Sequence, residues 1–63
     1  MTEYGAALRQ ERKRRGMTLE DMAEYLGISP ITIGLWERGK VRPSAENQRL
    51  IREKLGITQE VDG

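Results

Sequence analysis

At 63 residues the chain has room for one domain with a small core, since a domain of this size buries only about 60% of the surface of its unfolded chain. The absence of cysteine and histidine excludes a disulfide framework, a zinc site built on thiolates or imidazoles, and catalysis by histidine. The net charge is only +1, but basic residues concentrate in 9–15 and 38–42, while 20–24 is acidic. One basic run is usually a solvated face. Two such runs beside one predicted helix favour a polyanionic partner.

Glycines and capping residues divide the chain into four predicted helices, near residues 3–15, 18–26, 30–38 and 44–55. Four glycines follow helix-compatible stretches and suit the left-handed conformation of helix ends: Gly16, Gly27, Gly39 and Gly56. Three hydroxyl residues stand where they cap the next helix: Thr18, Ser29 and Ser44. The segment from Thr58 to Asp62 adds one short turn at most. We therefore expect an all-α fold, a compact domain of four to five helices.

Apolar residues recur at helical spacing and define the predicted core. They are Tyr4, Ala7, Leu8, Met22, Ala23, Leu26, Ile33, Trp36, Leu50, Ile51 and Leu55. Three more stand beside the glycines and can close the ends of the core: Met17, Ile28 and Ile57. Trp36 could stack on a nucleic-acid base, but its helical spacing from Ile33 favours a place in the core.

Residues 18–38 have the pattern of a helix, a turn at Gly27 and a second helix, which is the helix-turn-helix arrangement. The chain resembles the phage repressor and Cro-type helix-turn-helix family over about residues 4–57. The motifs that carry the resemblance are Leu8-Arg9…Arg12…Gly16-Met17-Thr18, Ala23…Leu26-Gly27-Ile28-Ser29, Ile33…Trp36-Glu37-Arg38-Gly39-Lys40 and Arg42-Pro43-Ser44.

The resemblance implies a single DNA-binding domain, residues 1–63, that regulates transcription by placing residues 30–38 in the major groove of double-stranded DNA. The positions expected to face bases are Pro30, Ile31, Thr32, Gly34, Leu35 and Arg38. The positions expected to contact the DNA backbone are Arg12, Lys13, Thr18, Ser29, Lys40, Arg42 and Ser44. The resemblance also implies a semi-buried ion pair between Arg12 and Glu37.

The chain departs from the family pattern at Leu19, where many members carry glutamine, and in the centre of the predicted recognition helix. Pro30, Ile31, Gly34 and Leu35 have no side-chain hydrogen-bonding group, which excludes bidentate base contacts from these positions. Three interpretations of the apolar patch stay open: packing on thymine methyl groups, a protein-binding surface, or tolerated exposure. The alternative function is therefore a protein-interaction adaptor that uses the same helix face. In the DNA-binding interpretation, Gly34 would let the helix approach the groove closely.

We expect no enzyme, since the sequence offers no nucleophile–base pair and no phosphate-cradling glycine loop. We likewise expect no metal, cofactor or small-molecule ligand. We expect no membrane partner, because no apolar run approaches the roughly 18 residues that span a bilayer. The first residues lack the pattern of a signal peptide, which favours a cytoplasmic, nucleoid-associated protein. A weak homodimer on DNA is left open.

Overall fold

Four helices follow one another in the structure, a computed structural model that describes residues 3–57. They are α1 (Glu3–Arg14), α2 (Leu19–Leu26), α3 (Pro30–Glu37) and α4 (Ala45–Leu55), and no strand occurs among the described residues. The all-α fold is confirmed, and each helix bound lies within one residue of the sequence-based expectation. The turn expected from Thr58 to Asp62 lies outside the described residues. None of the four helices is long and apolar enough to cross a membrane.

The helix starts are set by short-range hydrogen bonds to hydroxyl side chains. Thr18 Oγ1 accepts the backbone amide of Asp21, and Asp21 Oδ2 accepts the amide of Thr18, both at 3.0 Å. This reciprocal pair is a complete capping box, with aspartate in the place of the usual glutamate or glutamine. The hydroxyls of Ser29 and Ser44 each accept a backbone amide of the following turn at 3.2 Å. All three predicted caps are confirmed.

The turn between α2 and α3 depends on a glycine in the left-handed conformation. Gly27 has φ of 73°, and its amide and that of Ile28 both donate to the Ala23 carbonyl, at 2.8 and 3.0 Å. Side chains other than glycine rarely adopt this conformation without strain. The four glycines predicted to end helices all have φ between 70° and 74°: Gly16, Gly27, Gly39 and Gly56.

Side chains from all four helices meet in one core. One from each helix is completely buried: Leu8, Met22, Ile33 and Ile51. The core is completed by Tyr4, Ala23, Leu26, Trp36 and Leu55, and half-buried side chains pack against it: Met17, Leu19, Ile28, Leu50 and Ile57. The predicted core is confirmed except at Ala7, which is only half-buried and is not part of the cluster. Trp36, with 3% of its surface exposed, is a core residue and does not present its ring to a base.

Helix α1 approaches α3 closely at Gly5, a residue that the sequence analysis did not single out. A Cβ atom at Gly5 would overlap the carbonyl oxygen of Trp36 and would stand 2.9 Å from the carbonyl oxygen of Glu37. Real Cβ atoms essentially never come so close to backbone oxygen atoms. The absence of a side chain at this position therefore sets the distance between the two helices.

Candidate nucleic-acid interface

Helix α3 has one face in the core and one face in solvent. Ile33 and Trp36 point into the core, whereas helical spacing places Ile31, Leu35 and Arg38 together on the opposite face. Ile31 is 74% exposed, more than any other large hydrophobic residue of the described chain. Leu35 is half-buried and Arg38 is exposed. The centre of the solvent face is therefore apolar and its C-terminal end is cationic.

The other three positions expected to face bases differ in exposure. Pro30 and Thr32 are half-buried at the edges of the solvent face, but Gly34 is buried. A Cβ at Gly34 would lie 3.8 Å from Leu19 Cδ1 and 3.6 Å from Arg38 Nη1. Gly34 was expected to face bases and to let α3 approach the groove, whereas in the structure it is buried beside side chains of α2 and α3. Both distances are ordinary van der Waals contacts, so a methyl group at this position would fit beside Leu19, the residue that replaces the family's glutamine.

The loop between α3 and α4 is fixed at both ends. The amide of Lys40 donates to the Leu35 carbonyl at 2.9 Å, which continues the hydrogen bonding of α3 into the loop. At the other end Pro43 is buried, and its carbonyl accepts the side-chain amide of Gln48 at 2.9 Å. Lys40 and Arg42 lie between these anchors, both exposed. The backbone that carries them is thus held in place before any ligand binds.

Three of the five cations in the basic run at 9–15 are held in ion pairs within the molecule. Arg12 pairs with Glu37, and Arg14 and Arg15 both pair with Glu11 through contacts of 2.6 and 2.7 Å. Hydrogen bonds from Arg14 and Arg15 hold the pKa of Glu11 below its ordinary value. A cluster that the sequence presents as five cations therefore offers fewer free charges than its composition indicates.

The cationic loop, which we define as residues 38–42, differs from the basic run at 9–15 because its cations are unpaired within the described part of the chain. Within residues 3–57, the side chains of Arg38, Lys40 and Arg42 have no ion-pair or hydrogen-bond partner. Lys13 is likewise exposed and unpaired in this part of the chain. No group of three or more acidic side chains in the described residues is arranged to hold a metal ion. Three of these unpaired cations, Arg38, Lys40 and Arg42, follow one another closely in the chain at the C-terminal end of α3.

Arg12 was expected both in an ion pair and on the DNA backbone, and the structure supports only the first role. Its Nε lies 2.8 Å from Glu37 Oε2, its Nη2 lies 3.1 Å from Glu37 Oε1, and its Nη1 donates to the Met17 carbonyl at 2.9 Å. The side chain is only 13% exposed. Because the side chain is mostly buried and three of its five N–H groups donate within the protein, we assign Arg12 to the fold and not to phosphate contact.

The three capping hydroxyls stay candidates for phosphate contact, but their surroundings differ. Thr18, Ser29 and Ser44 are exposed, and a hydroxyl that accepts a cap bond keeps its own proton to donate. The first turn of α2 carries Glu20 and Asp21, whereas the first turn of α3 carries no acidic residue. Anions are favoured at helix N-termini, and nearby carboxylates oppose this effect. Ser29 therefore has the more favourable surroundings for a phosphate than Thr18.

Two exposed residues were missed by sequence reasoning. The ring of Tyr25 lies 5.7 Å from Arg15 Cζ and 5.1 Å from Lys54 Nζ, and its hydroxyl donates to the Lys54 carbonyl at 3.1 Å. It joins α2 to the C-terminal ends of α1 and α4, a role that no local pattern indicates. Val41 lies between Lys40 and Arg42 in the sequence and is 47% exposed. An apolar residue inside a basic loop is visible in the sequence and could have been singled out.

Comparisons with known proteins agree with this geometry. The family model described as helix-turn-helix matches residues 8–47, more than half of the chain. The HTH-type transcriptional activator BcrR of Enterococcus faecalis is 34% identical over 56 residues, which cover 89% of this chain and 28% of that protein. The uncharacterized HTH-type transcriptional regulator YiaG of Escherichia coli K12 is 36% identical over 45 residues, or 71% of this chain and 47% of that protein. The chain spans less than half the length of these relatives, and no solved structure gives a significant match. The chain belongs to the helix-turn-helix family of the phage repressor and Cro type.

Proposed function

We propose that the chain binds double-stranded DNA sequence-specifically with α3 in the major groove, and that it acts in transcriptional regulation. One observation carries the proposal: the solvent face of α3 continues into a fixed loop whose three cations, Arg38, Lys40 and Arg42, are unpaired within the described residues. Phosphate neutralisation by lysine and arginine supplies most of the affinity of such modules. The names of the relatives, a transcriptional activator and a transcriptional regulator, support the regulatory role.

The side chains divide into two groups in this proposal. Phosphate contacts set the position of a protein on a duplex, and contacts to base edges supply sequence information. Lys13, Lys40 and Arg42 contact phosphates, assisted by the hydroxyls of Thr18, Ser29 and Ser44. The base edges are met by Pro30, Ile31, Thr32, Leu35 and Arg38.

The salt dependence of DNA binding tests the proposal. Fluorescence anisotropy with a labelled pool of mixed-sequence duplexes, at a series of salt concentrations, gives the slope of log K against log salt. With three to four phosphates neutralised, we expect a slope of roughly −3 to −4. Arg42→Ala should weaken binding about equally for all duplexes and flatten the slope by about one unit.

A matched control comes from Arg49, an exposed arginine of α4 that, like Arg42, has no ion-pair or hydrogen-bond partner within residues 3–57. Arg49→Ala removes the same charge outside the helix-turn-helix unit and should leave the slope unchanged. Equal slopes for Arg42→Ala and the unsubstituted chain would remove Arg42 from the interface. Absence of duplex binding at low salt would overturn the proposed function and favour the adaptor alternative, in which the solvent face of α3 binds a protein.

A further inference from the structure

The most exposed side chain on the solvent face of α3 belongs to Ile31, at a position where polar base readout would require a hydrogen-bonding residue. Ile31 is 74% exposed at the N-terminal end of this face, and the half-buried Leu35 follows one turn later. Neither side chain has a donor or an acceptor. Whatever Ile31 recognises must therefore offer an apolar group.

The charges around this face identify the class of partner. An apolar patch alone would fit a protein surface, but Arg38 stands on the same face and Lys40 and Arg42 follow in the fixed loop. Arg38 extends along α3, with its Nη1 3.6 Å from the position of a Cβ at Gly34, which places a cation beside the apolar centre. The partner must thus offer an apolar group within a few ångströms of anionic groups. Duplex DNA does so in the major groove, where the C5-methyl group of thymine is exposed between the phosphate chains.

We infer that Ile31 is a specificity-determining residue that selects thymine by burying its C5-methyl group, with Leu35 extending the same apolar contact. This inference rests on the proposed function and adds the feature of DNA that is read. Thymine is the only one of the four bases with a methyl group in the major groove, so an apolar contact there discriminates without hydrogen bonds. The preferred site should contain thymine under Ile31.

Replacement of thymine by deoxyuridine tests the inference, because it deletes the methyl group and preserves base pairing. A duplex is first selected by the full chain from a random-sequence pool, and each of its thymines is then replaced singly by deoxyuridine. Burial of one methyl group corresponds to about a 4-fold change in affinity. For the unsubstituted chain, we expect the Kd to rise about 3- to 10-fold at one or two of the replaced thymines. For Ile31→Ala, we expect the duplex with thymine and the duplex with deoxyuridine beneath residue 31 to have equal Kd values.

Two controls make the outcomes distinct. Ile31 is mostly exposed, so Ile31→Ala should keep the melting temperature of the unsubstituted chain, and a loss of discrimination then does not reflect unfolding. Val41→Ala, which shortens an exposed apolar side chain in the loop, should retain the preference for thymine. Tight, salt-dependent binding without any preference for thymine over deoxyuridine would overturn the inference and leave the proposed function standing. Retention of the preference by Ile31→Ala would also overturn it, whereas failure to select or bind any duplex would overturn both.

Discussion

Glu37, whose carboxylate is held by Arg12, is the residue directly before Arg38, the first cation of the loop. The ion pair therefore ties α1 to the point where α3 ends and the cationic loop begins. The hydrogen bond to Glu37 raises the pKa of Arg12 above its ordinary value, because it stabilises the charged guanidinium. The ion pair thus joins two helices of the fold and also holds in place the start of the surface that we assign to DNA binding.

Removal of one partner of this pair should destabilise the domain. In Arg12→Ala, the carboxylate of Glu37, whose side chain is only 6% exposed, loses its counter-charge. Breaking a buried pair leaves an uncompensated charge, and we expect a loss of about 3 kcal/mol in the free energy of unfolding, measured by urea denaturation. Arg14→Ala is the matched control, since the Arg14 side chain is 70% exposed and pairs on the helix surface. That substitution should change the stability little. Equal stability of the two variants would contradict the structural role of the pair.

Burial on α3 predicts opposite outcomes for two isoleucines that are two residues apart. Ile33 is fully buried, and Ile33→Ala should lower the free energy of unfolding by about 2–5 kcal/mol. Ile31 is 74% exposed, and Ile31→Ala should leave it nearly unchanged. Thermal melts of both variants check the assignment. Overlay of the Ile33→Ala and unsubstituted curves would mean that the inner and outer faces of α3 are assigned wrongly.

Features that depend on neighbours along the chain were predictable from the sequence. The caps at Thr18, Ser29 and Ser44 and the turn at Gly27 arise from contacts within a few residues, and the core follows the helical period of the apolar residues. The pair of Arg12 and Glu37 joins residues 25 apart and came from the resemblance to a family, not from spacing.

Features that depend on the relative placement of helices were not predictable. From the sequence alone, Gly34 could face a ligand or a neighbouring helix, and only the placement of α2 shows that Leu19 is its neighbour. Gly5 sits in an ordinary helical segment, and its contact with the end of α3 is invisible until α1 and α3 are brought together. A charge count within residues 9–15 also misses one ion pair for the same reason, because the partner of Arg12 lies on another helix.

The two tyrosines predict opposite responses to loss of the hydroxyl group. The Tyr4 hydroxyl is buried without a hydrogen-bond partner in the described residues, so Tyr4→Phe should raise the free energy of unfolding by about 1 kcal/mol. The Tyr25 hydroxyl donates to the Lys54 carbonyl, so Tyr25→Phe should lower it by roughly 0.5–1.5 kcal/mol. Urea denaturation at pH 7 measures both values. A loss of stability in Tyr4→Phe would show that its hydroxyl has a partner after all.

Tyr4 also predicts a change in alkaline stability. Burial raises its pKa above the ordinary 10.0, and the nearby charge of Arg52 only partly opposes this effect. A raised pKa means that the stability contributed by neutral Tyr4 is complete below the unfolded-state pKa and is lost as the pH rises through the folded-state pKa. The advantage of Tyr4→Phe over the unsubstituted chain should therefore grow above pH 10, as denaturation at two pH values would detect. A constant difference would contradict the burial of this hydroxyl.

The two buried glycines should respond differently to the same added methyl group. At Gly5, a Cβ would overlap the carbonyl oxygen of Trp36, and backbone atoms cannot move aside without displacing α3. Overpacking of this kind costs about 1–3 kcal/mol, which Gly5→Ala should lose in the free energy of unfolding. At Gly34 the nearest atoms belong to side chains at 3.6 and 3.8 Å, which is ordinary van der Waals contact. Alanine is a better helix former than glycine by about 1 kcal/mol, so Gly34→Ala should keep or raise the stability. Urea denaturation of both variants measures the two changes in the free energy of unfolding. Equal losses would mean that α1 and α3 do not approach most closely at Gly5.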